Sequence, residues 1–236
     1  VHQAPASTLS QDVVSRLYHR ALRESALDTR QLPESVFTDA IQRSVDRRFS
    51  GAAPRGNALE RYLDTLHVVD LALVCACGEG DEQAWERSTA SLRQLLPLAE
   101  QLGVRIAFEN VWNDFITDAD EAVRYVDQFE SPWVGWYFDT GNIVRYGRPP
   151  EWVRKLGSRT IKVDIKDYSR ALMEKDGVWA GFRCEIGNED SSVEWAETMK
   201  ALDQVGYRGW GSAEVSGGGR DRLADIARRM DDVSSR

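Results

Sequence analysis

Four acidic residues occupy equivalent places in the sequence, at or near the ends of short apolar segments. They are Glu109 in VRIAFE (104–109), Asp139 in WVGWYFD (133–139), Asp164 in TIKVDIKD (160–167) and Glu214 in GWGSAE (209–214). Carboxylates gathered in one place repel and desolvate one another, and a divalent cation is the simplest compensation. A ligand set made only of oxygen atoms favours Mg²⁺ or Mn²⁺ over a softer metal. Taken singly, each residue can instead cap a helix or pair with an arginine; four together favour a functional site.

The segments that carry these residues alternate with helical patterns. We expect strands at 68–77, 104–110, 133–139, 160–167 and 209–215, a short one near 182–187, and helices at 82–102 (ended by Gly103), 118–129, 149–157, 191–206 and 220–232. This alternation is typical of an α/β protein with parallel strands, whose carboxyl ends converge on one site. The strands are almost continuously apolar except near those ends, which predicts burial on both faces.

The first part of the chain differs from this pattern. Helices are predicted at 12–26, capped by Ser10, at 34–49 and at 58–67, with a small-residue linker at 50–57. No strand is expected before residue 68, so a barrel would be incomplete or rearranged at its N-terminus. An open barrel exposes apolar edges, and a partner chain or the N-terminal helices would have to cover them.

Composition limits the class of protein. The chain has 236 residues, of which 42% are hydrophobic and 29% charged, and we expect one globular domain over 1–236. No apolar run approaches the roughly 18 residues of a membrane span. With 30 basic and 38 acidic side chains the net charge is −8, and no basic patch favours nucleic acid or a membrane surface. Cys75 and Cys77 would point the same way from one strand, which disfavours a disulfide and indicates a reducing, cytoplasmic setting.

Five short motifs carry a resemblance to a known family. ENVWN (109–113), FDTGN (138–142), VDIKD (163–167), and GYRGW (206–210) with AEV (213–215) resemble the sugar phosphate isomerase/epimerase family in order and spacing. The resemblance covers residues 57–232, leaving 1–56 as an atypical helical segment. It implies the xylose isomerase-like (β/α)₈ TIM barrel and one divalent metal ion, Mn²⁺ or Mg²⁺.

The resemblance also implies roles for individual residues. Glu109, Asp139 and Glu214 match metal ligands of the family, and Asp164 stands where the family usually has a histidine. The three histidines of this chain, His2, His19 and His67, all precede the predicted strand region. The family chemistry is proton abstraction beside a metal-polarised sugar carbonyl, with Glu109 and Glu214 as base and acid.

Other residues near these motifs are candidates for substrate contact. Lys166, two residues after Asp164, is expected to neutralise an oxyanion, or to form a salt bridge with Asp139 or Asp164. Trp112 can stack on a sugar or pack in the core, Asn110 and Asn142 can hold substrate or close a turn, and Arg183 can bind an anionic group or lie on the surface. The SGGGR segment (216–220) is either a phosphate loop or a flexible connection.

The sequence therefore predicts a metal-dependent isomerase or epimerase that acts on a small sugar or keto-sugar derivative. A lyase or dehydratase that uses the same enolate chemistry is one alternative. A non-catalytic barrel subunit of a hetero-oligomer is another, favoured by Asp164 and the absent early strands. A homo-oligomer is expected otherwise. A metal-dependent abasic-site endonuclease is disfavoured because the chain is acidic and poor in histidine.

Overall fold

The computed structural model describes residues 9–49, 54 and 57–235. The chain forms two compact units, residues 1–94 and 95–236. The expectation of one domain over 1–236 stays a prediction. Within the described ranges, no helix combines the length and the hydropathy needed to cross a membrane.

The first unit is helical, as predicted for most of its length. It contains α1 (Gln11–Ser25), α2 (Glu34–Phe49), α3 (Ala58–Asp64), α4 (Val68–Gly78) and the start of α5 (Glu82–Leu102). Ser10 caps α1 by accepting a hydrogen bond from the Val13 N–H, which confirms the predicted cap. The buried rings of Tyr18 and Phe37 join α1 to α2, with centroids 5.8 Å apart. The predicted linker over 50–57 lies almost wholly outside the described residues.

The segment at 68–77 is a helix, so the strand predicted there is wrong. Four of its five buried residues, Val68, Ala72, Cys75 and Ala76, recur at the three- and four-residue spacing of a helix face. Apart from Asp70 the run is apolar, and such a short run has no clear period that separates a buried helix from a buried strand. Packing of α4 against both α1 and α2 decides the outcome.

This change also corrects the geometry expected for two cysteines. On α4, Cys75 and Cys77 lie about 200° apart around the helix axis and do not share a face. Both thiols are buried and form no disulfide, and the same holds for Cys184.

The second unit is built around a parallel sheet. Its strands are β1 (Ile106–Glu109), β2 (Val134–Asp139), β3 (Thr160–Ile165) and β4 (Gly211–Ala213), and they lie in sequence order with every pair parallel. Its helices are α6 (Ala119–Asp127), α7 (Thr140–Ile143), α8 (Pro149–Leu156), α9 (Arg170–Asp176), α10 (Trp195–Gln204) and α11 (Arg220–Ser234). This confirms the predicted strand–helix alternation after residue 104. Gly103 ends α5 as expected, with a φ of +65° that suits glycine.

The expected strand near 182–187 is absent from the structure. Residues Val178–Arg183 form a 3₁₀ turn, and the following segment packs Cys184 and Ile186 into the interior. The described sheet therefore has four strands, with β1 and β4 at its edges.

The two faces of this sheet have opposite character. One face carries Phe108, Trp136, Phe138 and Val163 and packs on helices; Phe108 contacts Tyr125 of α6, and Trp136 contacts Trp152 of α8. The other face carries small and polar side chains, including Gly135, Tyr137, Lys162 and Ser212. The strands are thus not apolar on both sides, which corrects the expected burial of both faces. The polar face leads directly to the four predicted carboxylates.

Candidate metal centre

The four predicted carboxylates come together at the carboxyl ends of the strands. Glu109, Asp139 and Asp164 lie at the ends of β1, β2 and β3, and Glu214 directly follows β4. One oxygen of each lies within 4.8 Å of the others. Asp139 and Asp164 are buried, whereas Glu109 and Glu214 are exposed.

This closeness shows that the sheet is curved. Neighbouring strands lie about 4.8 Å apart, so in a flat sheet the outer two of four strands would be separated by roughly 14 Å. Glu109 and Glu214 nevertheless meet over the ends of β2 and β3. The sheet curls towards its polar face, as an arc of a barrel does.

Asp139 is fixed by the turn that follows it. Its Oδ1 accepts a hydrogen bond of 2.8 Å from the Asn142 backbone N–H, which caps α7, and its Oδ2 accepts one of 2.8 Å from Asn142 Nδ2. The capping role weighed for Asp139 is therefore present, and the same side chain also belongs to the carboxylate cluster.

Asn110 ties β1 to β2 directly beneath the cluster. Its Oδ1 accepts hydrogen bonds from the Asp139 N–H and from Trp136 Nε1, both at 3.0 Å, and its Nδ2 donates to the Asp139 carbonyl at 2.9 Å. Asn142 Nδ2 donates in turn to the Asn110 carbonyl at 3.1 Å. These two candidate substrate residues are buried, and their amides hold the strand ends in place.

Asp164 is held from both neighbouring strands. The Tyr137 hydroxyl of β2 donates to its Oδ1 at 2.7 Å, and the Ser212 hydroxyl of β4 donates to the same oxygen. Asp139 and Ser212 are the cross-strand partners of Asp164 in the sheet register.

Lys166 supplies a positive charge inside the cluster. Its Nζ lies 2.7 Å from Glu214 Oε2 and 3.4 Å from both Asp139 Oδ2 and Asn142 Oδ1. It also lies 4.8 Å from the centre of the Phe182 ring. The salt bridge expected for Lys166 thus forms with Asp139, and Glu214 is an additional partner.

The electrostatics of the cluster follow from burial and crowding. Burial raises the pKa of Asp139 well above its ordinary value, against the opposing effect of the Lys166 charge. Burial also raises the pKa of Glu109, and the charges of Glu214 and Asp164 add to the effect. Burial alone would lower the pKa of Lys166, but the charges of Asp139 and Glu214 outweigh it and raise that pKa.

These residues fit a divalent cation. Four carboxylates meet here, and the Lys166 ammonium group forms ion pairs with two of them, Asp139 and Glu214. Oxygen ligands from four separate strand ends suit a hard ion such as Mg²⁺ or Mn²⁺.

The remaining candidate residues lie around the cluster. Trp112 donates from Nε1 to the Asn142 carbonyl at 2.8 Å, and its ring packs against Phe182 and Tyr168, with centroids 4.7 and 5.1 Å away. The Arg145 guanidinium lies 5.2 Å from the Trp112 ring centre. Arg183 is exposed and forms an ion pair with Asp176.

Several residues at the site were not predicted. Tyr137, Ser212 and Lys162 were missed because the strands were expected to be apolar on both faces. Their positions, two residues before Asp139, Glu214 and Asp164 respectively, place them on the same face and are the signal that reveals them. Asp167 was also missed; its role depends on contacts with distant segments.

Parallel strands joined by helices, with an acidic cluster at their carboxyl ends, define an α/β protein with a candidate metal site. The family described as the xylose isomerase-like TIM barrel matches residues 45–232, and the chain belongs to this family. The predicted resemblance and fold class are thereby confirmed.

Curated relatives are similar to a little over half of the chain. The inosose dehydratase of Clostridium beijerinckii is 26% identical over 140 residues, which cover 55% of this chain and 46% of that protein. Inosose dehydratase 2 of Bacillus cereus has the same identity and coverage. The chain thus spans about half the length of the curated relatives it matches.

Two solved structures are similar to the chain. A 3-keto-D-glucoside 4-epimerase from E. coli aligns over 98% of this chain and 97% of its own, with a TM-score of 0.52 and 12% identity, a likeness of fold alone. A xylose isomerase-like TIM barrel/4-hydroxyphenylpyruvate dioxygenase fusion protein aligns over 64% of this chain and 25% of its own, with a TM-score of 0.50 and 26% identity.

Proposed function

We propose that this protein is a divalent-metal-dependent isomerase or epimerase of a sugar or keto-sugar derivative. The observation that carries the proposal is the cluster of Glu109, Asp139, Asp164 and Glu214, with Lys166 inside it. These four carboxylates would hold one ion, Mn²⁺ or Mg²⁺. When bound, it would polarise a carbonyl and stabilise the negative charge that develops on its oxygen.

Glu109 and Glu214 are the proposed acid–base pair. They approach the cluster from the two outer strands of the curved sheet, so a substrate between them would present opposite faces to the two carboxylates. One carboxylate takes the proton from the carbon beside the carbonyl, and the electron pair of that C–H bond forms the enediolate. The other returns a proton, either to the opposite face or to the neighbouring carbon.

Lys166 is proposed to stabilise negative charge on the substrate. Its ammonium group lies against Glu214 and would face the enediolate oxygen, where it stabilises negative charge. Trp112 and Arg183 remain proposed substrate contacts, and Asn110 and Asn142 are proposed to act on substrate binding indirectly. Trp112 would act through its ring, and the two amides through the strand ends that they fix.

A dehydratase acting on a keto-sugar derivative is the second candidate, because the matched curated relatives are inosose dehydratases. It would share the first proton abstraction and differ in expelling a β-hydroxyl group as water from the enolate. We further propose a cytoplasmic setting, supported by three cysteines that form no disulfide, and a homo-oligomer. The alternative is a hetero-oligomer with a partner barrel chain. Light scattering, which measures the molar mass of the assembly, tests the oligomeric state.

The test combines metal analysis with a substrate screen. Elemental mass spectrometry of protein reconstituted with MnCl₂ should find about one equivalent of metal, lost in Glu109→Ala. Keto-sugars and keto-inositols are then incubated with the protein in D₂O and followed by ¹H NMR. The proposal is supported if a proton beside the carbonyl exchanges with deuterium and if Glu109→Gln and Glu214→Gln abolish this exchange. An alkene or diketone product would instead identify the protein as a dehydratase. Absence of metal after reconstitution, or full turnover by both variants, would refute it.

A further inference from the structure

Asp164 is the member of the cluster that most needs support from its surroundings. It stands where a histidine is expected from the resemblance, and it is buried at 6% exposure. A histidine ligand is usually oriented by a hydrogen bond to its second nitrogen. A carboxylate in that place needs an equivalent partner for the oxygen that does not face the ion.

Two hydroxyl groups meet this need from opposite sides. Tyr137 of β2 and Ser212 of β4 both donate to Oδ1 of Asp164, and neither bonds to Oδ2. The hydroxyl oxygens of Tyr137 and Ser212 are 3.3 Å apart, so these two side chains and Asp164 form one hydrogen-bonded group. Because β2 and β4 flank β3, the carboxylate is held from both neighbouring strands.

We propose that Tyr137 and Ser212 are positioning residues that orient Asp164 as a ligand for the divalent cation. The inference rests on the metal-dependent part of the proposed function. With Oδ1 held by both hydroxyls, rotation of the carboxylate about its Cβ–Cγ bond is restricted, and Oδ2 is kept for the ion. Removing such outer partners typically weakens metal binding about 10–100-fold.

The experiment measures Mn²⁺ affinity directly, by isothermal titration with MnCl₂ and by the EPR signal of free Mn²⁺. Tyr137→Phe and Ser212→Ala should each raise the Kd for Mn²⁺ about tenfold or more. Ser212→Thr keeps a hydroxyl and should restore most of the affinity. Tyr146→Phe is the matched control: this tyrosine bonds to the Val111 carbonyl and to Asp114, so its loss should leave the Kd unchanged.

A coupling test separates positioning from general loss of structure. In an Asp164→Ala background, Tyr137→Phe should have no further effect on the Kd, because the oxygen that accepts its hydrogen bond is gone. Three outcomes would overturn the inference. Tyr137→Phe could weaken Mn²⁺ binding equally in both backgrounds, both single variants could keep the wild-type Kd, or the wild-type protein could fail to bind Mn²⁺. If Mn²⁺ binds and the variants change its Kd as expected, but no sugar is turned over, the proposed sugar chemistry is refuted and the positioning role is retained.

Discussion

Lys166 and Glu214 form an ion pair with an Nζ–Oε2 distance of 2.7 Å, at the point where the ends of β3 and β4 meet. Lys166 is largely buried and also approaches Asp139, so a single ammonium group contacts two of the four clustered carboxylates. The cluster thus has an internal counter-ion that reduces its repulsion without cancelling it.

Replacement of Lys166 by methionine should make the protein depend more strongly on metal. Without the ammonium group the four carboxylates repel one another, and we expect a loss of about 1–3 kcal/mol in the free energy of unfolding without metal. MnCl₂ should then raise the Tm of Lys166→Met by more than it raises that of the wild type. Thermal melts with and without MnCl₂ measure both effects. Lys175→Met, at an exposed position on α9, is the control, and equal metal-induced shifts in all three proteins would contradict the prediction.

Asn110 should be essential for the stability of the strand ends. Asn110→Ala leaves the buried N–H groups of Asp139 and Trp136 without their acceptor. We expect a loss of about 2–4 kcal/mol in the free energy of unfolding, measured by urea denaturation. The control is Asn113→Ala, because Asn113 is exposed and accepts only a local bond from the Phe115 N–H. A loss as small as that of the control would show that the Asn110 bonds contribute little.

Asp167 should contribute about as much as Asn110 to the free energy of unfolding. It is buried, and its Oδ2 accepts hydrogen bonds from Trp195 Nε1 at 2.7 Å and from the Gly187 N–H at 2.9 Å. Its Oδ1 accepts a further hydrogen bond of 2.9 Å from the Tyr168 N–H, so the NH₂ group of Asp167→Asn must face an N–H donor on one side, and the substitution should cost about 2–3 kcal/mol. Urea unfolding followed by tryptophan fluorescence tests this. Asp176→Asn is the control, because Asp176 forms an exposed ion pair with Arg183 and its loss should be nearly neutral. Equal urea midpoints of unfolding for the two variants would contradict the prediction.

The buried thiols should be slow to react in the folded protein. Burial raises the pKa of Cys77 and of Cys184 to about 12, and only the thiolate is nucleophilic. Against an ordinary pKa of about 8.5, this lowers the thiolate fraction at pH 8 roughly a thousandfold. Reaction with a chromogenic disulfide reagent should therefore accelerate with rising pH above 8, about tenfold per unit, and should be fast for all three cysteines in guanidinium. Rapid labelling of Cys77 or Cys184 at pH 8 in the native protein would show that they are accessible.

The acidic cluster was predictable from sequence because each carboxylate marks the end of a strand. Glu109 and Asp139 follow apolar runs with strand length, and the parallel arrangement alone brings such ends together. The partners of Asp164 were harder to find. Tyr137 and Ser212 donate to it from neighbouring strands, and this depends on the register, which places Ser212 beside Asp164.

The helix at 68–78 and the 3₁₀ turn at 178–183 show where local sequence was insufficient. The run from Val68 to Cys77 is apolar except at Asp70, so it lacks a clear period that would separate helix from strand. Its packing partners α1 and α2 determine the result, and they are distant in sequence. Around Phe182 a few apolar residues suggested a strand, but the segment packs its rings against Trp112 and Tyr168 and pairs with no strand of the described sheet.

Each of the four strands provides one carboxylate to the cluster, and this has a consequence for local opening of the protein. A cation bound by all four would be released when any one strand end detaches. Binding therefore couples four otherwise separate fluctuations into one cooperative event. Amide hydrogen exchange at the carboxyl ends of β1, β2, β3 and β4 would then slow together when Mn²⁺ is added, including at the short edge strand β4.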